Sequence, residues 1–174
     1  MIELSRSSLW RKLREVKILA NHKRVAGICG ELIVSYRKDP VDFGISPKKD
    51  LGTDKIIWQY WAQGFDSVPD VVHQCLNSVE KYAGEYRIIR LTDDTLSEYI
   101  DLPDFVQKRR SLYSRAHFSD ILRLMLLKSY GGIWMDATIM LTGPIPEEYL
   151  SEDLFLFSRD PDEPDYKYWR NTYA

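Results

Sequence analysis

Between Lys55 and Leu91 two short runs rich in β-branched and aromatic residues bracket one amphipathic segment, and this arrangement leaves few folds open. The first run, Lys55-Ile-Ile-Trp-Gln-Tyr-Trp61, is bounded by Asp54 and Gly64 and reads as a buried strand. Ser67-Val-Pro-Asp70 then starts a helix: Ser67 is a candidate cap, Pro69 suits the first turn, and Asp70 opposes the positive helix end. Val72, Leu76 and Val79 form its apolar stripe, and Gly84 stops it. Tyr86-Arg-Ile-Ile-Arg-Leu91 is the second strand. Strand, helix and strand in fewer than 40 residues make a βαβ unit, whose crossover gives parallel pairing. The expected fold class is an α/β sandwich. Thr92-Asp-Asp-Thr95 and Pro103-Asp104 each start a further short helix, the second running to Lys108-Arg109-Arg110.

The 174 residues, 44% of them hydrophobic, suffice for one ordinary core. A net charge of −2 argues against binding nucleic acid by bulk electrostatics. That charge hides an asymmetry: residues 1–50 carry 11 Lys or Arg against 6 Asp or Glu, and the remainder carries 13 against 20. Residues 1–53 read as a basic helical extension followed by a linker. From Ser8 to Ser35 the residues Leu9, Leu13, Val16 and Ala20 recur at helical spacing, with Gly27 and Gly30 expected to break the helix in two. Such a basic helix could lie on an anionic membrane surface, or pack its stripe on the domain. Residues 38–54, with Pro40, Gly44, Pro47 and Gly52, read as a linker or an irregular wrap. With no apolar run of about 20 residues and no cleavable leader pattern, the expected location is cytoplasmic, at most peripheral at the inner face of the membrane. Cys29 and Cys75 suggest neither a disulfide framework nor a zinc site.

The stretch from Ser114 to Pro144 carries the chemistry. Residues 115–129 form a strong helix with Phe118, Ile121, Leu122 and Met125 on its buried side. Asp120 and Arg123, three residues apart on another face, are neighbours that can pair, either as an ordinary helical salt bridge or as part of a site. Gly131-Gly132 ends the helix. Ile133 to Leu141 then reads as a strand, with Ile133, Met135, Ala137, Ile139 and Leu141 on one face and Trp134, Asp136, Thr138 and Met140 on the other. A carboxylate in so apolar a run is costly unless paired, hydrogen-bonded or metal-bound.

Ser119-Asp-Ile-Leu-Arg123 followed by Tyr130-Gly-Gly-Ile-Trp-Met-Asp-Ala-Thr138 resembles the core of the family 32 type glycosyltransferases, especially the bacterial capsular polysaccharide synthesis proteins. Their pattern is a helix with SDxxR and then GG(I/M)(Y/W)xDxD or DxT, and Lys55–Trp61 is similar to their first strand. The resemblance implies a GT-A type, Rossmann-like nucleotide-sugar-binding domain over residues 54–174, with ligand at the carboxyl ends of the strands. It implies sugar transfer from a nucleotide-sugar donor, by a hexosyltransferase-type enzyme, to a glycan or polysaccharide acceptor in capsule or surface polysaccharide biosynthesis. Asp136 matches the first Asp of DxD, the catalytic element, which holds a divalent cation, Mn²⁺ or Mg²⁺, on the donor diphosphate. Thr138 stands where the second Asp would be, so one negative charge of the metal site is lost. Asp120 and Arg123 match donor-binding positions for sugar or ribose hydroxyls and for the sugar-phosphate region. Trp58 matches an aromatic that stacks on the donor base, and Trp134 one packed near the donor, against the alternative that both are core. His117 reads as structural.

Members of such families run well past the DxD strand, so the chain reads as truncated at its C-terminus, holding the donor half. Two functional classes follow: an active glycosyltransferase, or a noncatalytic donor-binding remnant or subunit.

Overall fold

The computed structural model describes residues 2–52 and 54–156; the acidic Asp160–Asp165 run and the aromatic Tyr166–Trp169 fall outside them. Its contacts separate one unit, Asp42–Phe155, from another that contains the N-terminal helix. That helix, α1 (Ile2–Lys38), is continuous, which corrects the expectation of a break at Gly27 and Gly30. An interior glycine costs a helix about 1 kcal/mol relative to alanine but keeps its N–H in the ladder, whereas only proline removes it. Arg37 and Lys38 in the last turn face the negative end of the helix dipole. Among the described residues no helix is long and apolar enough to cross a membrane.

The second unit is built on β1 (Ile56–Tyr60), which is buried at all five positions. It is the middle strand of a sheet ordered β2-β1-β3, with β2 (Arg87–Leu91) and β3 (Ile133–Trp134) both parallel to it. Complete burial follows from cover on both faces. Ile56, Trp58 and Tyr60 point to one side and pack, with Ile89 and Leu91, against Phe118, Leu122, Met125 and Leu126. These four belong to α4 (Arg115–Tyr130). Ile57 points to the other side and meets Val79 and Ala83, where α2 (Asp70–Tyr82) crosses between the first two strands. Strand periodicity and the two helical stripes thus produce the expected sandwich, a mixed helix and strand fold around a small parallel sheet.

Details at the element ends follow local chemistry. Helix α2 begins at Asp70, but Pro69 occupies the cap position and Ser67 makes no capping bond. Short helix α3 (Asp104–Lys108) follows Pro103, and a 3₁₀ turn at Leu96–Glu98 follows the Thr92–Thr95 segment, both as expected. Ser114 caps α4, its Oγ accepting from the His117 amide at 3.1 Å. The segment before β1 is a wrap rather than a free linker. The Tyr130 hydroxyl donates to the Tyr99 carbonyl at 2.6 Å and accepts from the amides of Lys48 and Lys49 at 2.9 and 3.2 Å. Pro47 bridges to Ile100, and the Lys49 ammonium sits 4.2 Å from the centroid of the Tyr99 ring.

The turn between α4 and β3 is the tightest junction. Gly131 and Gly132 have φ of +68° and +89°. A Cβ on Gly132 would lie 2.6 Å from the Ile56 carbonyl oxygen and 3.3 Å from Trp58 Nε1. The Trp58 indole in turn donates to the Gly131 carbonyl at 3.0 Å. We predict that Gly132→Ala destabilises the protein by about 2–5 kcal/mol, the sum of backbone strain and a steric clash with main chain. Gly131→Ala, where a Cβ meets nothing within 4 Å, incurs the strain alone, about 1–3 kcal/mol. Chemical denaturation of the two variants measures the difference.

Candidate functional site

The strand carrying Asp136 is much shorter than its composition suggests. β3 contains only Ile133 and Trp134, and one further ladder bond runs from the Met135 amide to the Trp58 carbonyl at 2.9 Å. The reason lies in the partner. Trp134 pairs with Trp58, and β1 ends two residues later at Tyr60, so little strand remains to pair with. The chain then turns, the Ile139 amide bonding the Asp136 carbonyl. Side chains of α2 hold the turn and the residues after it: the Cys75 thiol donates to the Thr138 carbonyl, and the Leu141 amide donates to Ser78 Oγ.

Strand alternation nevertheless survives past the strand. Met135 packs with Ile57 and Val79, and Ala137 with Val72 and Leu76, both on the α2 side. Trp134 and Asp136 are therefore directed to the α4 side, where Arg123 stands. The alternation is lost at Ile139, which is exposed rather than facing inward.

Here three charged side chains meet. Arg123 Nη2 lies 3.1 Å from Asp136 Oδ1 and 3.3 Å from Asp120 Oδ1, so both carboxylates share one guanidinium nitrogen. The Trp134 indole donates to the same Asp136 oxygen at 2.8 Å, while the Arg123 guanidinium lies 5.5 Å from the Trp134 ring. Asp136 Oδ2 keeps no protein partner among the described residues, and the buried Arg123 Nε–H has no acceptor there either. The cluster is half open: the side chains of Asp120 and Asp136 are 58% and 48% exposed. The site thus offers a fixed carboxylate, a second carboxylate and a partly exposed guanidinium. That set suits a ligand bearing both hydroxyls and anionic oxygens.

Of the residues singled out in the sequence, Asp120, Arg123, Trp134 and Asp136 come together. Thr138 lies within the turn that follows Asp136 and is exposed. Trp58 does not join them. It is fully buried, its ring packed against Tyr99 and Tyr130, which corrects the expectation that it stacks on a base. A strand-centre position under α4 leaves it no open face, and its indole serves the Gly131 turn instead. His117 is exposed at the start of α4, where its amide donates to the Ser114 cap.

A divalent cation fits this site only in part. Among the described residues no group of three or more His, Cys, Asp or Glu could hold a metal. Asp136 Oδ2 is a carboxylate oxygen left open here, so ligand phosphates and water would have to complete most of the shell, as is common for Mg²⁺.

A second polar cluster lies at the carboxyl ends of the neighbouring strands. The Tyr60 hydroxyl donates to Asp93 Oδ1 at 2.6 Å, and Arg110 Nη2 reaches both Asp93 oxygens at 3.0 and 3.3 Å. The Arg110 guanidinium lies 3.5 Å from the centroid of the Phe118 ring. In sequence, Asp93 and Arg110 read only as helix-end residues. Asp93, two residues past the second strand, could have been noticed because strand ends in open parallel sheets are where ligands collect. Burial, with the Asp93 carboxylate, pushes the Tyr60 phenol above its ordinary range.

Known proteins bear on this geometry. The sequence model of one family, described as capsular polysaccharide synthesis protein, matches residues 12–173. The chain is also similar to an O-glycosyltransferase, PaGT, of Phomopsis amygdali, with 26% identity over 110 residues, covering 57% of this chain and 27% of the relative. The O-glycosyltransferase braB of Annulohypoxylon truncatum is 26% identical over 104 residues, covering 53% and 25%. The chain therefore spans about a quarter of the length of the curated relatives it matches. No solved structure matches.

The Tyr60 environment yields a pH prediction. A phenol whose folded-state pKa is raised contributes stability that is complete below its unfolded value, about 10, and is lost as pH rises through the folded value. The melting temperature of the protein should fall as pH rises above about 10, and fall less steeply in Tyr60→Phe. Thermal melts from pH 8 to 11 on both proteins check this, and parallel slopes would contradict it.

Proposed function

The chain belongs to the capsular polysaccharide synthesis protein family, and on that premise we propose that it is a glycosyltransferase acting in capsule or surface polysaccharide biosynthesis. It would move a hexosyl group from a nucleotide-sugar to a polysaccharide or glycan acceptor through a GT-A type donor site. The O-glycosyltransferase names of the two relatives support the reaction class. The observation that carries the reading is the placement of Asp136, held by Arg123 and Trp134 just beyond β3. The order β2-β1-β3 reverses direction between β1 and β3, and ligands of open α/β sheets bind outside the strand ends at such a switch point.

In this reading the residues divide the donor by charge. Asp120 accepts from hydroxyls of the sugar or ribose, and the Arg123 side chain, 34% exposed, sets its positive charge against a phosphate oxygen. Trp134 packs beside the donor and keeps the Asp136 carboxylate in one orientation. Asp136 Oδ2 and Thr138 would hold Mn²⁺ or Mg²⁺, which supplies charge neutralisation for the departing nucleoside diphosphate. As the bond from the sugar carbon to the phosphate oxygen breaks and the acceptor hydroxyl oxygen takes its place, shedding its proton to the departing phosphate, negative charge builds on the leaving group, and Arg123 is positioned to oppose it.

A second reading, a noncatalytic donor-binding module, is favoured by one feature: Thr138 puts a hydroxyl where a second carboxylate would strengthen cation binding. Release of nucleoside diphosphate from a panel of nucleotide-sugars, with and without Mn²⁺, separates the two. For the enzyme we predict release that Asp136→Asn lowers by about 100-fold or more while the circular dichroism spectrum is unchanged. Tight donor binding without release across the panel would favour the module.

A further inference from the structure

Helix α1 carries an apolar stripe besides that of Leu13 and Val16. Ile18, Val25, Ile28, Leu32 and Tyr36 recur at intervals of three, four and seven residues, and they fall within about 80° of one another around the helix. All five are exposed, Leu32 by 63%. Asn21, the polar residue within the stripe, accepts from Arg24 Nη2 at 3.2 Å. Residues 25–36 hold one charge, Glu31, which stands about 110° from the middle of the stripe and so is turned off it. Leu13 and Val16 point away from the same stripe, so the two halves of the helix present different faces. A stripe of this size open to water marks a contact surface.

Cations stand around it. Lys17 and Arg24 line one flank, about 70–90° from its middle, and Arg37 and Lys38 follow its end. Residues 10–38 hold eight Lys or Arg against two Asp or Glu. Among the described residues no carboxylate pairs with Lys17, Arg24, Arg37 or Lys38. Charge and apolarity together decide what this face fits. A second copy of this chain would bring a strongly positive helix against its like, and a nucleic acid would neutralise the cations while leaving Val25 and Leu32 in water. An anionic bilayer surface takes both: the stripe enters the apolar boundary, and the long cationic side chains bury their stems and keep their charged heads among the lipid phosphates.

We propose that α1 lies along the surface of an anionic bilayer, with Ile18, Val25, Ile28, Leu32 and Tyr36 directed about 5–10 Å into the boundary between headgroups and acyl chains. Lys17 and Arg24 meet phosphates along one side of the contact, and Arg37 and Lys38 meet them at its end. Leu13 and Val16 stay out of it. The proposal stands apart from the donor-site reading: it concerns where the chain works, not what it transfers.

Co-sedimentation of the full chain with vesicles of phosphatidylcholine, alone or mixed in equal parts with phosphatidylglycerol, tests this. The wild type should partition onto the mixed vesicles about tenfold or more better than onto phosphatidylcholine. Raising salt from about 0.1 M to about 1 M, which shortens the screening length from about 10 to about 3 Å, should remove most of that preference. Ile28→Gln with Leu32→Gln, and separately Lys17→Gln with Arg24→Gln, should each weaken binding to the mixed vesicles about tenfold, while Val16→Gln leaves it unchanged; circular dichroism confirms that each variant keeps its helix content. Equal binding to both kinds of vesicle, or a double variant of Ile28 and Leu32 that binds as the wild type does, overturns the proposal, as does an equal loss in Val16→Gln. A wild type that ignores the mixed vesicles but dimerises through Ile28 and Leu32 in sedimentation equilibrium overturns it too, and assigns the face to a second copy.

Discussion

The backbone of Gly132 passes so close to β1 that even one added carbon would strike the Ile56 carbonyl. Everything at the site depends on that approach. It brings β3 alongside β1 with Trp134 opposite Trp58, and this register decides which residue follows the last ladder bond. The Trp58 indole secures the same turn from within the core through the Gly131 carbonyl. A fully buried tryptophan, a pair of glycines and a strand of two residues thus form one mechanical unit. Its output is the location of Asp136.

From there, apolar packing does the aiming. Met135 and Ala137 are drawn to the α2 side by burial, and a chain still alternating must send Trp134 and Asp136 to the opposite side. Helix α4 supplies the counterpart, since its buried stripe of Phe118, Leu122 and Met125 leaves Asp120 and Arg123 on the flank that meets them. Ion pairs this exposed add little stability, so the arrangement is set by the hydrophobic side of each element, and the charges follow.

How much of this is legible in the sequence depends on whether a local rule or a distant partner decides each feature. The βαβ unit, the start of α3 at Pro103 and the Asp120–Arg123 pair follow from periodicity and helix-start rules, and the structure has them. The length of β3 depends on where β1 runs out, which composition does not encode. Burial of Trp58 depends on α4 lying over it, and the aromatic residues of a strand look alike whether they face a helix or a ligand. Asp93 and Arg110 meet across 17 positions, and no short-range pattern announces such a pair. Gly27 and Gly30 mislead in the other direction, because a weak helix former resembles a helix stop when nothing but the sequence is in view.

The Tyr130 hydroxyl has a bearing on the order in which the chain is assembled. Its partners Lys48 and Lys49 lie 82 and 81 positions earlier, so the wrap that opens this unit is synthesised first yet has nothing to bind until α4 has emerged. Long-range closure of this kind is slow to form and leaves early segments waiting. During synthesis the face of β1 that carries Trp58 also lacks its cover until the same helix arrives, since Tyr130 closes one side of that indole. The last turn of α4 is therefore a timing element: until it folds, both the amino-terminal wrap and the central tryptophan remain open to water and to other chains.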